Sequence, residues 1–83
     1  MHFSEVINAA TAHLSGYAVA KKLGISPQAF YQFRNGKKIP SDRLLDELAI
    51  ITGLNPIDVY LAAYAEKLGN PEIAEQFRSL KTH

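Results

Sequence analysis

The sequence predicts an all-α fold: one compact domain of five to six short helices. Three observations carry that expectation. Apolar residues recur at i, i+3, i+4 and i+7 along nearly the whole chain. No segment alternates with period two, and no Asn-Gly turn joins two β-branched runs. Three of the four prolines stand directly after a capping side chain, where a helix begins.

The elements follow in order. Phe3, Val6, Ile7, Ala10 and Leu14 share a helical face behind a Ser4 cap, predicting a helix over about 4–14. Ser15 caps a second helix, about 16–23, which carries Val19, Ala20 and Leu23 inward and stops at Gly24. Ser26-Pro27, Asn55-Pro56 and Asn70-Pro71 open helices over about 27–35, 56–68 and 71–80. In each, the cap oxygen accepts a free N–H, and proline at the first position lacks only a donor that had no partner. Asn55 with Asp58 three residues on resembles a capping box. Ser41 caps a helix over about 41–52 bearing Leu44, Leu45, Leu48 and Ile51, which ends at Gly53. Gly36 and Gly69 stand where left-handed C-terminal caps are expected. Residues from Lys81 onward are expected to fray.

Composition narrows the function. With 83 residues there is room for one domain, and 47% hydrophobic content suffices for a core. The absence of cysteine excludes a disulfide scaffold, a thiolate metal site and a cysteine nucleophile. No apolar run approaches the ~20 residues of a membrane span, and no signal-like segment opens the chain, so a cytoplasmic protein is expected. His2, His13 and His83 share no ligand spacing, and no nucleophile has a base beside it. The expectation is no enzyme, no metal and no cofactor.

The net charge of +1 conceals a separation. From Ser15 to Arg43 there are six basic residues (Lys21, Lys22, Arg34, Lys37, Lys38 and Arg43) against Asp42 alone, a local net of +5. The rest of the chain carries a net of −4. A basic segment in a near-neutral chain suits a polyanion, although a solvated lysine-rich surface would look the same by composition.

The segment Gly16–Asn35 meets the requirements of a helix-turn-helix: a short helix, a turn with glycine and a second capped helix. Ala20 is small where the two helices cross, and Gly24 suits a left-handed turn. From Ser15 to Gly53 the chain resembles the lambda-repressor-like, Cro/CI-type helix-turn-helix proteins of phages and bacteria. The resemblance rests on Val19-Ala20-Lys21-Lys22-Leu23-Gly24, Ser26, Phe30, Phe33, Asn35-Gly36-Lys37 and Leu48-Ala49 with Gly53. The chain's small size looks like the short phage repressors, those of filamentous prophages among them.

The resemblance implies a sequence-specific repressor that binds double-stranded DNA as a homodimer, with the second helix of the motif in the major groove. On that helix Phe30 and Phe33 point inward, leaving Gln28, Tyr31, Gln32 and Asn35 as a polar stripe. Glutamine pairs with adenine N6/N7, which makes Gln28 and Gln32 the leading base readers; a solvated helix face is the plain alternative. Tyr31 is placed with them, free to touch a thymine methyl, a phosphate or neither. Backbone contacts are expected from Ser15, Ser26, Arg34, Asn35, Lys37, Lys38, Ser41 and Arg43. Lys22 reads better as solubilising surface. Pro27 and Gly16 depart from the family, which often carries polar DNA-contacting residues at both positions.

The helices over 56–80 carry more apolar surface than a small core requires, and form a possible dimerisation element. Tyr60, Tyr64 and Phe77 are its expected anchors, because aromatics combine large area with few rotors. A protein partner (an antiterminator, an antirepressor or a toxin) is the other use for such a surface. An antitoxin-type module therefore stands as the alternative, since antitoxins share this fold.

Overall fold

In the computed structural model, which describes residues 1–80, helical capping accounts for most element boundaries. The helices are α1 (Phe3–Ala10), α2 (Gly16–Leu23), α3 (Pro27–Arg34), α4 (Asp42–Thr52), α5 (Pro56–Ala65) and α6 (Pro71–Ser79). No strand occurs among the described residues. The Ser15 Oγ accepts from the Ala18 N–H and the Ser26 Oγ from the Ala29 N–H, both at 3.1 Å. Asn55 Oδ1 accepts from Ile57 N–H at 2.8 Å, and Asn70 Oδ1 from Glu72 N–H at 2.9 Å. The last three lie where the Ser-Pro and Asn-Pro pairs place them, and the first where Ser15 precedes Gly16.

Four local expectations need correction. α1 begins one residue earlier, with His2 at the N-cap position and its N–H donated to Glu5 Oε1 at 3.3 Å, so Ser4 lies inside the helix. It stops at Ala10: the Thr11 N–H and hydroxyl both reach the Ile7 carbonyl, but the Ala12 N–H bonds only three residues back, to Ala9 at 3.4 Å. α5 ends at Ala65 rather than near 68. The N–H groups of Glu66, Lys67 and Leu68 each bond three residues back, a tightened last turn. Gly69 has no positive φ; among the described residues only Gly24, Gly36 and Gly53 do. Ser41 occupies the N-cap position of α4, but its side chain makes no cap bond. The expected fraying from Lys81, and His83, lie outside the described residues.

The core is one cluster to which the first five helices contribute. Phe3, Val6 and Ile7 of α1 meet Val19, Ala20 and Leu23 of α2, Leu44, Leu45 and Leu48 of α4, and Val59 and Ala62 of α5. α4 is central, touching α1, α2 and α5; α6 closes the far side by packing on α5. The Cα radius of gyration, 12.1 Å, matches the ~12 Å expected of a globule this long. α3 is held differently. It packs against α2 and sends a single fully buried side chain, Phe30, into the core. Burying that ring is worth roughly 1.5–3 kcal/mol, and it leaves the rest of α3 facing outward.

Near the end of α6 the sequence suggests a solvated i,i+3 pair at Glu75 and Arg78. The pair is present at 3.6 Å, yet the Arg78 side chain is only 17% exposed and also reaches Glu66 at 3.9 Å. Its aliphatic stem covers apolar surface while the guanidinium finds carboxylates at the rim. Among the described residues no helix is long and apolar enough to cross a membrane.

Candidate nucleic-acid interface

Two glycine caps set the geometry of the α2–α3 unit. At the end of α2, Gly24 takes φ 72°, and the Ile25 N–H bonds the Ala20 carbonyl at 3.0 Å. At the end of α3, Gly36 takes φ 75°, and the Lys37 N–H bonds the Gln32 carbonyl at 2.9 Å. Both are six-to-one closures that satisfy carbonyls the helix leaves free. The second directs Lys37 and Lys38 away from the end of α3, because the Lys38 N–H shares the same carbonyl at 3.3 Å.

The stripe opposite Phe30 is open. Gln28, Tyr31, Arg34 and Asn35 are exposed, and Gln32 is half-buried. Phe33, expected inside, packs against the core but remains half-buried. Tyr31 is held rather than loose. Its ring stands edge-on to Phe30, centroids 6.3 Å apart, and lies about 3.9 Å from where a Gly16 Cβ would be. Its position therefore joins the middle of α3 to the first turn of α2, beside Ser15. Gly16 has a packing reason here: a side chain would press on the Phe30 ring.

Ser15 and Ser26 are exposed, and each uses its oxygen to accept a cap bond. The hydroxyl hydrogens stay available for an anion at the two helix N-termini, where the peptide dipoles favour negative charge. Lys21, Lys22, Arg34, Lys37 and Lys38 are exposed, and no ion pair among the described residues engages them. Arg43 differs: its guanidinium meets Glu47 at 2.9 Å. That pair is exposed, worth about 0.2–1 kcal/mol by the general measure of such pairs, so an anion can exchange for it.

One residue of this face escaped the sequence reading. Tyr17 is 64% exposed and, with Lys21, Ile25 and Pro27, lines a shallow depression of about 170 Å³ between α2 and the start of α3. Its signal was available, since Tyr17 and Lys21 are four residues apart on the polar face of α2.

The expected dimer anchors are placed less simply. Tyr60 and Tyr64 are half-buried, with rings 5.8 Å apart and nearly perpendicular. The Tyr60 hydroxyl donates to Asp46 Oδ1 at 2.6 Å and to the Asp42 carbonyl at 3.1 Å. The Tyr64 hydroxyl donates to Asp42 Oδ1 at 2.5 Å. Hydrogen bonding to the Asp46 carboxylate, with partial burial and the neighbouring negative charges, pushes the Tyr60 pKa up to about 12; the bond to Asp42 raises that of Tyr64. Phe77 is half-buried on α6, between the exposed Ile73 and Leu80.

Among the described residues no group of three or more histidine or acidic side chains is placed to hold a metal ion. No protein-family model, no curated protein and no solved structure matches the chain.

Proposed function

We propose that this protein is a sequence-specific DNA-binding repressor of phage type, with α3 as the helix that enters the major groove. The observation that carries the reading is the outer surface of the α2–α3 unit. A polar, uncharged stripe on α3 is bordered by five exposed cations that no ion pair among the described residues engages, and by two serine-capped helix N-termini. Charge at the rim and hydrogen-bonding amides at the centre is the division of labour of a DNA reader, in which phosphates position and base edges specify. The resemblance of Ser15–Gly53 to the lambda-repressor-like proteins points the same way.

In this reading Gln28 and Gln32 read bases, and Tyr31 works at the edge of the groove, near the phosphate expected at Ser15. Arg34, Asn35, Lys37, Lys38, Ser26, Ser41 and, after exchange with Glu47, Arg43 follow the backbone. A single α3 spans too few base pairs for a unique site, so two copies bind a pseudo-palindromic operator with half-sites about 34 Å apart. Ile73 and Phe77 on α6, with Leu80 just beyond its end, are the pairing surface this reading favours, Tyr60 and Tyr64 being hydrogen-bonded to α4. The reading assigns no catalytic residue, metal or cofactor. Selection of bound sequences from random duplex DNA tests it: an enriched inverted repeat supports it. Equal affinity for every duplex, or none, rejects it.

A further inference from the structure

A second surface lies on α4 and α5, formed by elements outside the α2–α3 unit. Asp46, Pro56, Ile57, Tyr60, Leu61 and Tyr64 line an open groove of about 410 Å³ whose floor is almost wholly apolar. From Ile57 to Tyr64 the floor follows two turns of α5. Ile57 is 55% exposed, and Ile50, one turn beyond Asp46 on α4, is 80% exposed. Large aliphatic side chains left this open on a small domain mark a surface for a partner.

The edge of the groove names the chemistry. Asp42 and Asp46 are exposed and one turn apart, and among the described residues neither forms an ion pair. Each is held in place through Oδ1 by a tyrosine hydroxyl from α5, which leaves Oδ2 for an outside donor. Lys67 lies over the Tyr64 ring, 4.9 Å from its centroid, and among the described residues forms no ion pair with either aspartate. Two fixed carboxylates beside an apolar floor repel a phosphate backbone or an anionic lipid surface. They also oppose a second copy laid on the same face, because a two-fold interface there would gather the Asp42 and Asp46 of both copies.

We propose that this groove docks an amphipathic helix of a partner protein. That helix inserts aliphatic residues at i, i+3/i+4 and i+7 between Ile57 and Leu61, and presents arginine or lysine to Asp42 and Asp46. The groove is formed by α4 and α5 and does not rest on the DNA-reading assignment, although Asp42 stands between Ser41 and Arg43, where the two faces adjoin.

The test uses the whole chain and a fluorescein-labelled synthetic helix with leucines at those spacings and arginines flanking them. A control peptide carries glutamates in place of the arginines. The arginine peptide should bind, with amide shifts centred on Ile57, Tyr60, Leu61 and Tyr64, and the glutamate peptide at least ~10-fold more weakly. Ile57→Arg, at an exposed position, should weaken the arginine peptide by a similar factor. The peptide comparison is made on the unaltered protein, so it decides even if that variant folds poorly. Equal affinity for both peptides overturns the proposal, as do shifts centred on α2, α3 or α6. Concentration-dependent shifts at the groove without peptide also overturn it, by identifying a second copy as the occupant.

Discussion

Gly16 lets the first turn of α2 rest on the Phe30 ring: a Cβ at Gly16 would stand 3.2 Å from Phe30 Cε2. The contact couples fold to site, because Phe30 is the one fully buried residue of α3 and Tyr31 leans on the same turn. Gly16→Ala gains helix propensity but must displace a ring with no solvent side to move into. The clash outweighs the gain, and a loss of about 1 kcal/mol is expected. Thermal unfolding should show it as a Tm lower by ~4–8 °C. An unchanged or higher Tm would mean the ring yields freely.

Gln28 and Gln32 carry the proposed readout. Each alanine substitution should cost ~1–3 kcal/mol on the selected operator and little on random duplex. Gln28 is exposed while Gln32 is half-buried, so helicity must be checked alongside for Gln32→Ala. Equal losses on both duplexes would remove these residues from base reading.

Lys37 and Lys38 leave the end of α3 on a backbone fixed by the Gln32 carbonyl. Their alanine variants should weaken binding to all sequences alike, each reducing the log K against log[salt] slope by about one. Arg43→Ala should have the smaller effect, because Glu47 already offsets that charge. A larger effect at Arg43 than at the lysines would contradict the assignment.

Tyr60 makes stability sensitive to alkali. Its folded pKa of about 12 lies above the ordinary 10.0, so the folded state holds the phenolic proton more tightly than the unfolded chain. The resulting stabilisation is complete below pH 10 and is lost as pH rises towards 12. Tyr64 is raised in the same direction and adds to the effect. Urea unfolding at a series of alkaline pH values should show the decline, and Tyr60→Phe should flatten it. The same slope in that variant would place its origin elsewhere.

The proposed dimer surface lies on α6 and at Leu80 just beyond it. Ile73 and Leu80 are 43% and 57% exposed, so Ile73→Asp and Leu80→Asp should stay helical. They should appear as monomers by light scattering and bind the operator more weakly. Tyr60→Asp is a poorer probe, because it sets a third carboxylate beside Asp42 and Asp46 and removes both hydroxyl bonds. A wild-type chain that remains monomeric at high micromolar concentration would leave pairing on DNA as the only route.

The all-α class and the order of the six helices were legible in the sequence because their signals are local. A serine or asparagine before proline, a glycine after an apolar turn and a period of 3.6 each act within a few residues. The open stripe of α3 was legible for the same reason, since one buried residue, Phe30, fixes where its neighbours on that helix point. Tertiary structure decided what depends on groups distant in sequence. The Tyr64–Asp42 bond spans 22 residues and the Tyr60–Asp46 bond 14, and together they fix two of the expected dimer anchors along a groove. Gly16 acquired its role only when a ring from the next helix was packed against it. Arg78, solvated by local reading, became covered once α6 folded onto α5. Capping and periodicity are short-range effects written at each position; the partners of a side chain across the core exist only once the helices are assembled.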